Sequence, residues 1–107
     1  MGLLDYIGGK IQKVGNEIQE AQMEAEYWDA KRICRELERT SSVAKCTGYA
    51  KALRGKCKEM YDGELKGLFD DMYRSRNAKA CNAMMTEMKD RGLAYKDENG
   101  KIVRNYW

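Results

Sequence analysis

The sequence predicts a mainly α-helical protein: a small four-helix bundle, made of one long N-terminal helix and three shorter helices, that ends in a short C-terminal β-hairpin. Apolar residues recur at helical spacing along most of the chain, and the 107 residues include no proline. The last segment, RGLAYKDENGKIVRNYW, replaces that spacing with a turn-rich pattern typical of a hairpin. The length fits a single domain over residues 1–107.

The first helix is predicted from an apolar stripe with alternating spacings of three and four, which is typical of an amphipathic helix or a short coiled-coil seam. The stripe consists of Leu4, Ile7, Ile11, Val14, Ile18, Ala21, Ala25 and Trp28. A glycine inside a helix costs about 1 kcal/mol relative to alanine. Three glycines therefore favour a flexible N-terminal arm over residues 1–15, with the helix running from about Asn16 to about Thr40. The stripe from Leu4 to Trp28 also offers a contact for a homodimer.

Three shorter helices are predicted after the TSS sequence at residues 40–42, which ends the first helix and supplies a serine N-cap for the second. Asp62 is expected to cap the third helix, and the polar sequence RSRN at residues 74–77 separates it from the fourth. The three apolar stripes are Val43, Cys46, Ala50, Leu53, Cys57 and Met60; Tyr61, Leu65, Leu68, Phe69 and Met72; and Ala78, Cys81, Met85 and Met88.

The fourth helix is expected to end at Arg91. Gly92 can take the left-handed conformation that closes a helix, and Leu93 can then fold back on Met88, as in a Schellman ending. A terminal hairpin over residues 93–107 follows from this stop.

The hairpin turn is predicted at Asn99-Gly100, with both residues at positive φ. An isolated hairpin is marginally stable in water, so some of its side chains must pack on the helices. We expect these to be Leu93, Tyr95, one of Ile102 or Val103, and Trp107.

The four cysteines lie 12, 11 and 24 residues apart, with no C-x-x-C pair, and the chain has no histidine. This spacing fits no common zinc pattern, so we expect no metal site and no cofactor. Buried reduced thiols are the preferred interpretation, and two structural disulfides are the alternative. No apolar stretch reaches membrane-spanning length, and no signal peptide is visible, so we expect a cytoplasmic protein.

Histidine, a residue that commonly acts in catalysis, is absent from the sequence. Without histidine the usual general base at neutral pH is missing, so we predict a non-enzymatic protein with no catalytic residues. GYAKALRGKC, at residues 48–57, lacks the glycine spacing and the serine or threonine of a phosphate loop. The sequence starting YKDENGKI has Tyr95 and Tyr106 at the first and twelfth positions of a calcium loop, where acidic ligands are required.

Charge is unevenly distributed along the chain. Residues 1–30 have a net charge of −4 and residues 31–58 a net charge of +7. A hairpin of the two basic helices would gather this charge into a basic surface for a partner. The residues predicted to bind that partner are Arg32, Arg35, Arg39, Lys45, Lys51, Arg54 and Lys58. The alternative is that these helices pair with the acidic first and third helices inside the fold.

These features predict a small helical interaction protein that binds a macromolecular partner, as an adaptor or inhibitor does. A protein is the preferred partner, and the size would suit an accessory protein of a phage or mobile element. Residues LKGLFDDMYRSRNAKACNAMMTEMKDRGLAYKDENGKIVRNY are similar to the end of a winged helix-turn-helix domain, in which a recognition helix runs into a hairpin wing. That resemblance implies a nucleic-acid partner. Its contacts would come from the helix, at Arg76, Asn77, Lys79, Asn82, Thr86 and Lys89, and from phosphate-binding residues of the wing, at Lys96, Lys101 and Arg104.

Overall fold

The computed structural model describes residues 15–106. Within that range the chain forms five helices and a two-stranded antiparallel hairpin, which confirms the predicted mainly α-helical fold. The elements are α1 (15–25), α2 (Ala30–Arg39), α3 (Val43–Glu59), α4 (Asp62–Arg74), α5 (Ala78–Asp90), β1 (Ala94–Lys96) and β2 (Ile102–Arg104). The arm predicted over residues 1–15 lies almost entirely outside the described residues.

The expected long N-terminal helix is divided into α1 and α2 by a turn at residues 26–28. Asp29 starts α2 by accepting a hydrogen bond of 2.7 Å from the backbone N–H of Arg32. Trp28 packs beside Tyr49 at 5.2 Å between ring centroids, which anchors the turn to α3. The apolar stripe shifts to a different set of positions here because one helix ends and a new helix begins.

α1 packs closely against α3 at Gly48. A Cβ on Gly48 would lie 2.5 Å from the carbonyl oxygen of Ile18, 2.7 Å from the Cβ of Ala21 and 2.9 Å from the backbone nitrogen of Gln22. Ala21 and Ala25 are buried in this contact region. The described part of the stripe proposed for a homodimer is therefore used within the fold, and residues 4–14 lie outside the described range.

The core is formed where α2, α3 and α5 pack against one another, with α4 and β1 packing on α5. Fully buried large side chains come from all four of these helices: Ile33 and Leu37, Leu53, Leu65 and Phe69, and Met84 and Met88. Helices that bury one apolar stripe each in this way leave the opposite face of every helix in solvent.

The α3–α4 connection is held by Arg91 rather than by an Asp62 cap. Tyr61 is the N-cap position and makes no side-chain cap hydrogen bond, so the predicted cap is wrong. Asp62 instead accepts a hydrogen bond of 2.9 Å from Arg91, which also pairs with Glu87 at 2.9 Å. The same guanidinium donates to the carbonyl oxygens of Cys57 and Lys58, at 2.9 and 3.3 Å, which satisfies acceptors at the end of α3.

α4 and α5 end in the same kind of turn. The backbone N–H of Leu93 donates to the carbonyl of Met88 at 2.9 Å, and Gly92 has a φ of +70°, which confirms the predicted Schellman ending of α5. At the end of α4 the corresponding left-handed position is occupied by Arg76, with a φ of +58°.

β1 and β2 form the predicted hairpin, with Tyr95 opposite Val103. The turn differs from the expected two-residue form: Gly100 has positive φ and Asn99 does not. The Asp97 carboxylate accepts the N–H groups of Asn99 and Lys101, each at 2.9 Å, which stabilises a longer loop.

The side chains that dock the hairpin only partly match the expectation. Leu93 and Ile102 pack against the core as predicted, whereas Tyr95 is 47% exposed and Ala94 is buried in its place. The expectation for Tyr95 was wrong because a three-residue strand points alternate side chains to opposite faces, and α5 receives the face that carries Ala94. Trp107 lies outside the described residues.

Candidate interaction surface

The seven residues predicted to bind a partner are all solvent-exposed. On α2 they form a stripe with spacings of three and four, at Arg32, Arg35 and Arg39. On α3 the same spacing recurs at Lys51, Arg54 and Lys58, on the side of the helix opposite the core. Each helix therefore presents a continuous basic stripe to solvent.

Few of these cations are neutralised within the described part of the chain. Over residues 15–106, Arg35, Lys45, Lys51, Arg54 and Lys58 form no ion pair. The remaining two make weak contacts. The Arg39 guanidinium lies 3.9 Å from a Glu36 carboxylate oxygen, and the Arg32 guanidinium lies 4.6 Å from the centroid of the Trp28 ring.

The acidic helix α1 lies beside the start of α3 without covering its outer stripe. Glu17, Glu20 and Glu24 line a groove of about 150 Å³ together with Lys45. The side-chain ammonium of Lys56 donates a hydrogen bond of 3.1 Å to the backbone carbonyl oxygen of Glu26, just after the end of α1. The predicted alternative was a pairing of the basic helices with the acidic first and third predicted helices, which correspond to α1 and α4. Within residues 15–106 no ion pair joins the basic residues of α2 and α3 to either helix.

A second groove, of about 290 Å³, lies between α3 and α5. Arg54 lines one side and Lys79 and Asn82 the other. Its remaining lining is small or apolar, and includes no carboxylate: Leu37, Cys46, Thr47, Ala50 and Ala83. We call this the α3–α5 groove.

Contacts around the α3–α5 groove fix two lysines in place. Lys79 donates a hydrogen bond of 2.8 Å to the carbonyl oxygen of Thr40, at the end of α2. Lys96, on β1, reaches the Asn82 side chain at 3.5 Å. The fold therefore brings Arg54, from the set predicted for a protein partner, close to two lysines from the set predicted for nucleic acid.

Of the other residues predicted for nucleic acid, Thr86 and Lys89 are exposed on α5, and four more lie in different settings. Asn77 is 4% exposed; it caps α5 through Ala80 and donates to the carbonyl oxygen of Cys34 at 2.9 Å, so it belongs to the core. Arg104 pairs with Asp70 at 3.0 Å and lies over the Tyr73 ring. Arg76 and Lys101 are exposed.

Asn82, which the winged helix-turn-helix resemblance also assigned to nucleic acid, lines the same groove. It lies three residues after Lys79, which places both side chains on one face of α5. What the sequence could not indicate is that this face lies next to Arg54, because that depends on how α3 packs against α5.

The four cysteines are free thiols, as predicted, and none of the described residues form a cluster of three or more groups suited to a metal ion. Cys34, Cys57 and Cys81 are buried as predicted, whereas Cys46 is half-buried. Burial raises the pKa of the Cys34 thiol to about 12 and that of Cys57 to about 11. At neutral pH these thiols are protonated, and the protonated form is not nucleophilic.

We therefore expect Cys46 to react with a thiol reagent at least ten times faster than the other three cysteines in the folded protein at pH 7.5. Reagent consumption should show one fast thiol in native buffer and four after unfolding without reductant. A count of zero after unfolding would instead support two disulfides.

No helix within residues 15–106 has both the length and the apolar character needed to cross a membrane. No protein-family model, curated protein or solved structure matches the chain.

Proposed function

We propose that this protein is a non-enzymatic interaction protein that binds an acidic surface of another protein through the α3–α5 groove and the neighbouring basic stripe of α3. The observation that carries the proposal is the set of exposed cations on α3 that have no ion pair within the described residues: Lys51, Arg54 and Lys58.

Charge and shape act together at this place. Arg54 and Lys79 flank the groove, and its floor contains the half-buried side chains of Cys46, Thr47 and Ala50. A partner's acidic side chains can pair with the cations while a small apolar side chain enters the groove. Such charge complementarity chiefly raises the association rate and selects the partner.

The test compares two double charge reversals that change net charge equally. Lys51→Glu with Arg54→Glu alters the α3 stripe beside the groove, and Arg35→Glu with Arg39→Glu alters the α2 stripe. Exposed substitutions usually change stability by less than about 0.5 kcal/mol each, so both variants should fold. In nuclease-treated affinity capture followed by binding assays, the α3 pair should weaken the interaction at least tenfold and the α2 pair much less.

Equal losses from the two variants would mean that net charge alone matters, against the proposed site. Unfolding of the α3 variant, seen by circular dichroism, would show that these charges support the fold instead. Either result removes the α3–α5 groove as the proposed contact.

A nucleic-acid partner is the second candidate, favoured by one observation. α5 runs through the Gly92 turn directly into the hairpin, and its exposed polar residues are spaced by three or four: Lys79, Asn82, Thr86 and Lys89. In the winged helix-turn-helix arrangement, such a helix would contact base edges while Lys96 and Lys101 contact phosphates.

Nuclease and salt separate the two candidates. A nucleic-acid complex should disappear from the capture after nuclease treatment, and its affinity should fall with a logarithmic salt slope of about −0.9 for each phosphate contact on duplex DNA. A protein complex should survive nuclease, and salt should mainly slow its association.

A further inference from the structure

A third groove, of about 370 Å³, lies between the end of α4, the start of α5 and β2. Its walls are the half-buried side chains of Met72, Tyr73 and Ile102, and the buried Cys81 also lines it. The proposed contact with a macromolecule uses the other side of α5, so this apolar groove has no part in it. Its volume falls within the range of about 300–1,000 Å³ that is typical of small-molecule sites.

Arg76 is the charged residue that lines this groove. Its side chain is exposed and makes no hydrogen bond, ion pair or ring contact with any residue from 15 to 106. The neighbouring Arg104 is different, since it pairs with Asp70 at 3.0 Å. The groove therefore combines apolar walls with one unneutralised guanidinium.

The backbone at Arg76 makes this side chain unusual. Its φ of +58° is a left-handed conformation that favours glycine, at a turn where the N–H of Asn77 closes on the carbonyl of Met72 at 2.9 Å. Glycine stands at the equivalent place after α5, in Gly92. An arginine here carries a conformational cost that the turn itself does not require.

We propose that this groove binds a small amphipathic carboxylate, with its apolar tail against Met72, Cys81 and Ile102 and its carboxylate at the guanidinium of Arg76. A planar guanidinium matches a carboxylate through two parallel hydrogen bonds. One guanidinium neutralises one negative charge, so the site fits a monoanion. Because Arg76 is solvent-exposed, the charge pair chiefly orients the ligand, and the apolar walls supply the rest of the contact.

The experiment titrates the full-length protein with octanoate and with octylammonium, which share a chain length and differ in charge, and follows backbone amide shifts by NMR. Octanoate should shift the signals of residues around Met72, Arg76 and Ile102 in a saturable way, and octylammonium should bind at least ten times more weakly. Equal binding of the two ions, or no saturable octanoate shift in this groove at millimolar concentration, would overturn the proposal.

Three substitutions locate the anion contact. Arg76→Gly removes the guanidinium while suiting the left-handed backbone, so it should raise the melting temperature and still weaken octanoate binding at least tenfold. Arg74→Ala removes an equal charge from the exposed last turn of α4 and should leave octanoate binding nearly unchanged. Undiminished octanoate binding by the Arg76→Gly protein would refute the assigned carboxylate position. Arg76→Asn, which also tolerates the left-handed conformation, should repeat the loss.

Discussion

Replacing Gly48 with alanine is expected to destabilise the protein by about 2–3 kcal/mol, because overpacking a close helix contact forces the backbones apart. The new Cβ would lie 2.5 Å from the carbonyl oxygen of Ile18 and 2.9 Å from the backbone nitrogen of Gln22. Neither atom belongs to a flexible side chain, so α1 must move away from α3. Thermal unfolding should show the loss as a lower melting temperature.

Gly55 provides the matched control in the same helix. A Cβ at Gly55 meets nothing within 4 Å, so Gly55→Ala should stabilise α3 by up to about 1 kcal/mol through helix propensity alone. The two substitutions add the same methyl group and should change stability in opposite directions. Stabilisation by both would show that α1 does not approach α3 as closely as the structure has it.

Replacing Asn77 with alanine is expected to cost about 3 kcal/mol. Loss of the N-cap of α5 costs about 1 kcal/mol. The carbonyl oxygen of Cys34 would also lose its buried donor at 2.9 Å, and an unsatisfied buried group costs about 1–3 kcal/mol. Chemical denaturation measures the total as a shift of the unfolding midpoint.

Serine at position 77 separates these two contributions. Its hydroxyl can still accept from the backbone N–H of Ala80, which Asn77 does at 3.1 Å, but it is too short to reach Cys34. The Asn77→Ser protein should therefore fall between wild type and Asn77→Ala. An alanine variant within about 0.5 kcal/mol of wild type would contradict the structural role given to this amide.

Local rules predicted much of the fold. The Schellman ending at Gly92 depends on a few neighbouring residues, and the helical stripes depend on period alone, so both could be identified from sequence. The division between α1 and α2 could not, because Tyr27 and Trp28 are compatible with a continuing helix. Their turn is stabilised by contacts made elsewhere, above all the packing of Trp28 on Tyr49.

The same distinction applies to the candidate surfaces. Helical spacing placed the basic residues in stripes but left open whether the stripes face solvent or the acidic helices, and the structure has every one of those residues in solvent. Which stripes meet is a tertiary property: Arg54 lies across a groove from Lys79, 25 positions further along the chain. Asn77, by contrast, was predicted to contact nucleic acid because of the winged helix-turn-helix resemblance. Its burial depends on the distant carbonyl of Cys34, which local sequence does not reveal.

The contacts of Arg91 determine where the chain can accept added sequence. Its guanidinium holds the carbonyl oxygens of Cys57 and Lys58 on one side of the short α3–α4 connection and Asp62 on the other. Extra residues in that connection would separate groups that one side chain must reach together, so an inserted epitope or linker would be poorly tolerated there. At the exposed tip of the hairpin, the hydrogen bonds from Asn99, Gly100 and Lys101 to Asp97 stay within the loop and join no two helices. An insertion at Glu98 and Asn99 should therefore be better tolerated, which makes this tip the preferred place for a peptide tag or a split point in engineered versions of the protein.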